Sequence, residues 1–458
     1  MNPSPPPLTS LAPLGAGATA ERLRRQEQRE SSVRSYPRRL PVSLVRGRGA
    51  TVWDEDGRAY LDCLAGAGAL ALGHHHPVVV QALQQAIADE VPLTTLDLAT
   101  PLKDAFTSEL LATLPPELAA GRIQFCGPTG ADAVEAAVKL CRTATGRHPV
   151  LAFGGGYHGM TTGALALTGT HAPKERTGPL LGGVHHLPFP GGYRSAFGLD
   201  PAADAEACAR LLRWTLEDDH SGTTLPAAVI LEVVQGEGGV HPAPTGFLQE
   251  VRALTAAHGV PLVVDEVQTG LGRVGTTWGF EGAGIVPDAI VASKAIGGGL
   301  PLAVLVHREA LDAFSPGAHA GTFRGNQLAM AAGAATIREV QASGLAERAR
   351  VLGQHLLDGV RHATADDPSA GDVRGRGLMI GIEVVDPDHT DRDGVPVPDG
   401  TRARAIQRAL LDLGVIVEVG GRSDAVVRLL PPLVLSDDEA GSLVERIGAA
   451  FASTRTTA

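Results

Sequence analysis

The chain has 458 residues, of which 44% are apolar and 19% charged, and it carries a formal net charge of −11 at neutral pH. A chain of this length can bury a large core and is expected to divide into about two or three domains. Its acidic balance offers no basic field to a phosphate backbone or an anionic membrane, which argues against nucleic acid and membrane as partners, and no apolar run reaches the ~20 residues of a membrane span.

Residues 1–18, beginning "MNPSPPPLTS", read as a disordered tail with neither the basic residues nor the continuous apolar core of a targeting peptide. Residues 19–75 read as an N-terminal segment packing with the C-terminal unit, with "ATVWDEDGRAYLD" as a hairpin. In "CLAGAGALALG" the residues Gly66, Gly68 and Ala71 formally match a dinucleotide fingerprint. Gly73 and Pro77 interrupt the helix that this fingerprint requires, so the match fails. His74, His75 and His76 are adjacent and cannot all face one ion from a regular element, so no metal site is expected. The four cysteines, Cys63, Cys126, Cys141 and Cys208, form no C-x-x-C pair and sit in apolar surroundings, as reduced core thiols of a cytoplasmic protein do.

Residues 76–340 read as a large α/β domain. In "CGPTGADAVEAAVKLCR" the residues Thr129, Gly130 and Ala131 open a helix whose free N–H groups favour an anion, although Thr129 and Asp132 equally suit ordinary helix capping. "GGGYHGMTTGA" places Tyr157 in a glycine-rich loop, either to stack on a flat ring or to fill a gap. Strands are expected at "AAVILEVV" (227–234), "VPLVVDE" (260–266), "DAIVAS" (288–293) and "LAVLV" (302–306), with a helix over 245–258 stopped by Gly259. Three of these runs lead into an ionisable side chain: Glu232, Asp265 and Lys294. In an open parallel sheet such ends share the edge where ligands bind. Taken singly, each residue suits a salt bridge; together they read as a site. A lysine able to form a Schiff base and an aspartate able to keep a ring nitrogen protonated match the demands of pyridoxal 5'-phosphate, and "HAGTFRGNQ" adds Thr322 for its phosphate.

Residues 341–458 read as a smaller α+β domain. It comprises a helix over 342–362, a hairpin in "GDVRGRGLMIGIEVV", a solvated acidic connection over 386–400, a helix over 401–413, a strand "VVRLLPPLVLS" and a last helix capped by Ser436 and Glu439.

The ordered set "EVVQGEGGV", "DEVQTGLGRVG", "ASKAIGGGLP", "HAGTFRGN" and "VRLLPPL" resembles the class III aminotransferases of the fold-type I pyridoxal-phosphate enzymes, from about Glu30 to Phe451. Within that class, "RESSVRSYPRRLP", "CLAGAGALALGHHHP" and "YHGMTTGALALTG" look like the diaminobutyrate–2-oxoglutarate aminotransferases. The resemblance implies an α/β architecture: a large domain with a mostly parallel seven-stranded sheet and a smaller α+β C-terminal domain. It also implies that Lys294 holds the cofactor and shuttles a proton, that Asp265 meets the ring nitrogen, and that Gln268 meets the phenolic oxygen. Val267 and Tyr157 would cover the two ring faces, with Thr129, Gly130, Ala131, His158 and Glu232 around the cofactor. Thr322 would come from the neighbouring subunit of a homodimer with shared sites. Glu237 and Arg428 match a switch that lets one pocket take an ω-amino acid and then 2-oxoglutarate, and Tyr36 would contact substrate. An aminotransferase for another ω-amine, such as ornithine or 4-aminobutyrate, an intramolecular aminomutase, and a catalytically silent binding protein are the competing readings. Met160 stands where ornithine and 4-aminobutyrate members usually carry a carboxylate-binding arginine, and "VRSYPRR" offers Arg34, Tyr36, Arg38 and Arg39 in its place.

Overall fold

Runs of valine, isoleucine, leucine and alanine without polar alternation suit strands that are covered on both faces. The computed structural model describes residues 17–455. Five such runs form strands in which every residue is buried: Val150–Phe153, Ala228–Leu231, Leu262–Asp265, Ala289–Ala292 and Val304–His307. With Arg122–Phe125 at one edge and Val184–Leu187 at the other, they make a seven-stranded sheet. Only Val304–His307 runs against its two neighbours. Ala228–Leu231, Leu262–Asp265 and Ala289–Ala292 are adjacent and parallel, so their carboxyl ends emerge side by side. Helix Gly130–Thr145 covers one sheet face through Val134, Ala137 and Cys141. Helices Pro201–Glu217, Thr245–Ala257 and Gln327–Ala342 add buried residues to the core on the other face.

A second sheet carries Ala370–Arg376, Met379–Thr390, Val426–Leu429 and Glu418–Gly420 in that order, with helices Leu345–Ala363, Gly400–Asp412 and Asp437–Ser453. The N-terminal strands Leu44–Arg48, Thr51–Asp54 and Ala59–Asp62 form a meander whose last strand pairs in parallel with Val415–Ile416. Leu40, Val52 and Tyr60 pack with Leu411 and Ile416. The two ends of the chain therefore share one small core.

Several elements differ from the sequence expectation for definable reasons. Residues 1–16 of the expected tail lie outside the described residues, and its last two, Gly17 and Ala18, begin helix Gly17–Arg29, where Asp56 accepts the Ala18 N–H at 3.1 Å. Run 227–234 is broken because the Glu232 carboxylate accepts the Gly236 N–H and turns the chain into the short strand Val234–Gln235. The helix expected over 342–362 runs from Leu345 to Ala363, because Gly344 with φ 60° separates it from helix Gln327–Ala342. The acidic stretch 386–400 extends Met379–Thr390 and pairs with Pro396–Pro398 instead of forming a plain connection. The strand expected over 426–436 stops at Leu429, because Pro431 and Pro432 cannot donate to a ladder. Pro77 starts helix Pro77–Ala88 from its first position.

Candidate active site

Lys294 lies two residues beyond strand Ala289–Ala292, after Ser293, and takes φ 49°, an unfavourable backbone conformation for a side chain of its kind. The following Gly298 has φ 60°, and a Cβ there would lie 2.8 Å from the Ala332 carbonyl oxygen, so the turn packs against helix Gln327–Ala342 only with glycine. The chain thus bends sharply at the sheet edge and presents the amine beside two neighbouring strand ends. Burial pushes the Lys294 ammonium below its ordinary range, against the opposing pull of Glu237 and Asp265.

Asp265 is 4% exposed, and its Oδ2 lies 2.8 Å from His158 Nδ1 while Oδ1 accepts the Val267 N–H at 3.0 Å. Burial works against the His158 imidazolium, but the Asp265 hydrogen bond and charge outweigh it and raise its pKa. His158 Nε2 has no hydrogen-bond partner among the described residues. Glu232 accepts the Tyr157 N–H at 2.7 Å and the Gly236 N–H at 3.0 Å, and burial raises its pKa to about 7. This carboxylate anchors the backbone of the loop that carries Tyr157.

Helix Gly130–Thr145 points its N-terminus at this place. Thr129 occupies the cap position in an extended conformation, yet its side chain makes no capping bond, and Asp132 instead accepts the Gly127 N–H at 2.5 Å and pairs with His319 at 3.2 Å. First-turn amides and a hydroxyl are therefore left for an anion. A Cβ on Gly130 would lie 2.8 Å from Val267, so glycine lets that side chain close over the helix start. Gln268 donates to the Ala67 carbonyl oxygen at 3.3 Å, and its Oε1 has no hydrogen-bond partner among the described residues.

On the far side of Lys294 stands an ion-pair cluster. Arg428 is 1% exposed and grips Glu237 with two parallel bonds, Nη1 to Oε1 at 2.9 Å and Nη2 to Oε2 at 2.7 Å. Directly across the strand pair, Glu418 brings Oε2 within 2.8 Å of Arg428 Nη2 without hydrogen-bond alignment. The Tyr36 hydroxyl donates to Glu418 Oε1 at 2.8 Å. Burial opposes the Glu237 charge but the Arg428 pair holds its pKa down, whereas burial raises that of Glu418. A Cβ on Gly420 would lie 2.9 Å from Arg428 Nε, so glycine makes the room that the guanidinium occupies. Glu237 also borders a cavity of about 460 Å³ lined by Gly155, His171, Arg194, His241 and Arg422.

Other sequence candidates lie outside this cluster. Thr322 is exposed at the start of the turn Thr322–Gly325. Met160 is 54% exposed. Arg39 bonds Asp424 at 2.9 Å, and Arg34 pairs with Glu27 at 3.3 Å, so of the group 34–39 it is Tyr36 that reaches the Arg428 cluster. His74 bonds Asp62 at 2.8 Å. Glu418 escaped the sequence reading altogether; its one signal was a charge inside the apolar run "GVIVEVGG".

The family model for class III aminotransferases matches residues 33–451. The chain belongs to the class III aminotransferases. This aminotransferase is 53% identical to the diaminobutyrate–2-oxoglutarate aminotransferase of Rhizobium meliloti over 94% of its own length and 92% of the relative's. It is 47% identical to the enzyme of the same description from Haemophilus influenzae, over 96% and 97% of the two chains. Among solved structures, an amine transaminase from an uncultivated Pseudomonas species superposes with a TM-score of 0.84 at 30% identity, covering 93% of this chain and 98% of that one. The Toxoplasma gondii ornithine aminotransferase gives 0.79 at 27%, covering 96% of each.

The residues of this aminotransferase fit pyridoxal 5'-phosphate. The uncapped helix start at Thr129, the unpartnered Gln268 Oε1 and the buried Asp265 carboxylate would supply an anion cradle, a polar contact and a counter-charge for a ring nitrogen. Lys294 would supply the amine that a carbonyl cofactor needs.

Proposed function

We propose that this chain interconverts L-2,4-diaminobutyrate and 2-oxoglutarate with aspartate 4-semialdehyde and glutamate. The single observation carrying this reading is the bidentate pair of buried Arg428 with the partly exposed Glu237 beside Lys294, joined to the names of the relatives at 53% and 47% identity. One pocket must accept an amino acid by its distal amine and afterwards a keto acid by its α-carboxylate. A guanidinium masked by a movable carboxylate meets both demands: paired, it is neutral; released, it presents a planar fork to a carboxylate.

Bound pyridoxal 5'-phosphate supplies the carbonyl and the electron-accepting ring. Lys294 Nζ would hold that carbonyl and then carry a proton to and from the substrate carbon, a task helped by the burial that lowers its affinity for protons. Asp265, oriented by His158 Nδ1 and the Val267 N–H, would keep the ring nitrogen charged. Val267 and Tyr157 would hold the ring between them. Thr129 and the amides of Gly130 and Ala131 would hold the phosphate, and Gln268 the phenolic oxygen. Glu232 acts at one remove, by fixing the Tyr157 backbone.

The same reading makes the protein a homodimer in which Thr322 of the partner subunit completes each phosphate site. Supporting this, the surface around Thr322 exposes Phe323 (62%), Leu93 (64%) and Leu98 (67%), an apolar cluster that a monomer would leave in water. We assign residues 19–75 and 341–458 to one small domain and 76–340 to the large one. All four cysteines are buried and free, which supports a place in the cytoplasm; no helix among the described residues is long and apolar enough to cross a membrane.

Purified enzyme given both substrates should form glutamate and aspartate 4-semialdehyde in equal amounts. Formation of glutamate from ornithine or 4-aminobutyrate at a higher kcat/KM than from diaminobutyrate would overturn the choice of donor.

A further inference from the structure

A switch of the kind just described needs one carboxylate for its arginine, and this site holds two. Arg428 is flanked by Glu237, which takes both of its Nη atoms, and by Glu418, 2.8 Å from Nη2. Two carboxylates face one guanidinium, and the further cation acting on both is the Lys294 amine, which a carbonyl cofactor would engage, leaving one carboxylate without a counter-charge of its own. Glu418 is 8% exposed, so that charge is held away from bulk water, where it costs most unless a cation meets it. Its Oε1 is occupied by the Tyr36 hydroxyl at 2.8 Å, which fixes the carboxylate plane, while Oε2 has no hydrogen-bond partner among the described residues. Oε2 is thus held against Arg428 Nη2 by charge alone, with a lone pair that no hydrogen bond uses.

The substrates differ in what they bring to this end of the site. With its distal amine at Lys294, a diamino acid carries a second ammonium at its far end; 4-aminobutyrate carries only a carboxylate there, and glutamate, turned to present its α-amine, also has a carboxylate at its far end. We propose that Glu418 is the specificity-determining residue for the amine donor, accepting the donor's remote α-ammonium on Oε2, with Tyr36 as the positioning residue that aims it. This rests on the donor being a diamino acid, as proposed above. Glu237 then gates Arg428, and Glu418 reads the second amine. The two carboxylates divide between them what a single one could not do, since the gate must move and the reader must stay.

The test is the Glu418→Gln holoenzyme, which keeps the side-chain size and an acceptor for Tyr36, with each half-reaction followed separately. The expected result is a KM for diaminobutyrate raised at least 10-fold with kcat changed less than threefold, and a glutamate half-reaction held within threefold or improved, because Arg428 loses a competitor for its charge. The ratio of kcat/KM for diaminobutyrate to that for 4-aminobutyrate should fall by a similar factor. Tyr36→Phe should move both in the same direction by about threefold. Calorimetric titration of diaminobutyrate into the Lys294→Ala protein, with and without Glu418→Gln, should show the same 10-fold weakening where no turnover occurs. An unchanged diaminobutyrate KM, or equal losses for diaminobutyrate and glutamate, would overturn the assignment. If unmodified enzyme refuses diaminobutyrate but accepts a longer diamino acid, the proposed donor is wrong, and Glu418→Gln must still penalise that longer amine for this inference to stand.

Discussion

Around Lys294 the site is made of backbone: three adjacent strand ends, a helix start without its usual cap, and glycines at 130 and 298 where any side chain would collide. Around Arg428 it is made of side chains drawn from three distant parts of the chain, Tyr36, Glu237 and the strand pair that carries Glu418 and Arg428, and held by charge. The first region has one arrangement, which suits a cofactor that stays. The second can trade one ion pair for another at modest cost, which suits a pocket that must serve two substrates in turn. Rigidity and exchangeability have been placed on opposite sides of the same amine.

Substitutions should separate the two regions, the largest effect coming from the rigid side. Lys294→Ala should lower turnover by at least about 10³-fold with every amine, read as glutamate formed, because it removes the amine proposed to hold the carbonyl and move the proton. Arg428→Ala should lower kcat/KM for 2-oxoglutarate by about 100-fold while costing the diaminobutyrate half-reaction about 10-fold or less, since only the keto acid needs the exposed fork. Equal losses in both half-reactions would show that the ion-pair cluster is structural. Gly298→Ala should destabilise the fold by about 2 to 3 kcal/mol in urea unfolding, as the new methyl meets the Ala332 carbonyl at a positive φ.

A smaller effect sharpens the same contrast through pH. Glu266, next to Asp265 and 1% exposed, accepts from the Thr269 hydroxyl and the Phe280 N–H, and burial raises its pKa from 4.5 to about 7. A carboxyl whose folded pKa lies above its unfolded value stabilises the fold below the unfolded value and loses that contribution as pH rises through the folded one. Stability should therefore decline by roughly 1.4 kcal/mol per pH unit from this group between about pH 4.5 and 7. Glu266→Gln should flatten that part of a melting-temperature profile against pH. No flattening would mean that the group stays ionised within the folded protein.

What was legible in the sequence follows the same division. Glu232, Asp265 and Lys294 were visible because a charge directly after an apolar run marks a strand end, and parallel strands place such ends together. Thr129 to Ala131 were visible for a similar reason, as the start of an amphipathic helix. Glu418 was not, because its strand is three residues long and its meaning depends on facing Arg428 across a ladder whose register no local pattern encodes. The His158–Asp265 contact joins residues 107 apart and was likewise invisible to pattern, although the family resemblance placed His158 near the cofactor. The acidic stretch 386–400 misled through composition: charge on an exposed hairpin looks the same as charge on a loop.

The central claim is that one amine-bearing pocket accepts diaminobutyrate and then 2-oxoglutarate, and the visible absorption of cofactor-loaded protein tests it most directly. Diaminobutyrate added alone should abolish the long-wavelength band of the bound cofactor, and 2-oxoglutarate added next should restore it, one equivalent per site. A band that diaminobutyrate leaves untouched, or protein that stays colourless after soaking in pyridoxal 5'-phosphate, would contradict the account.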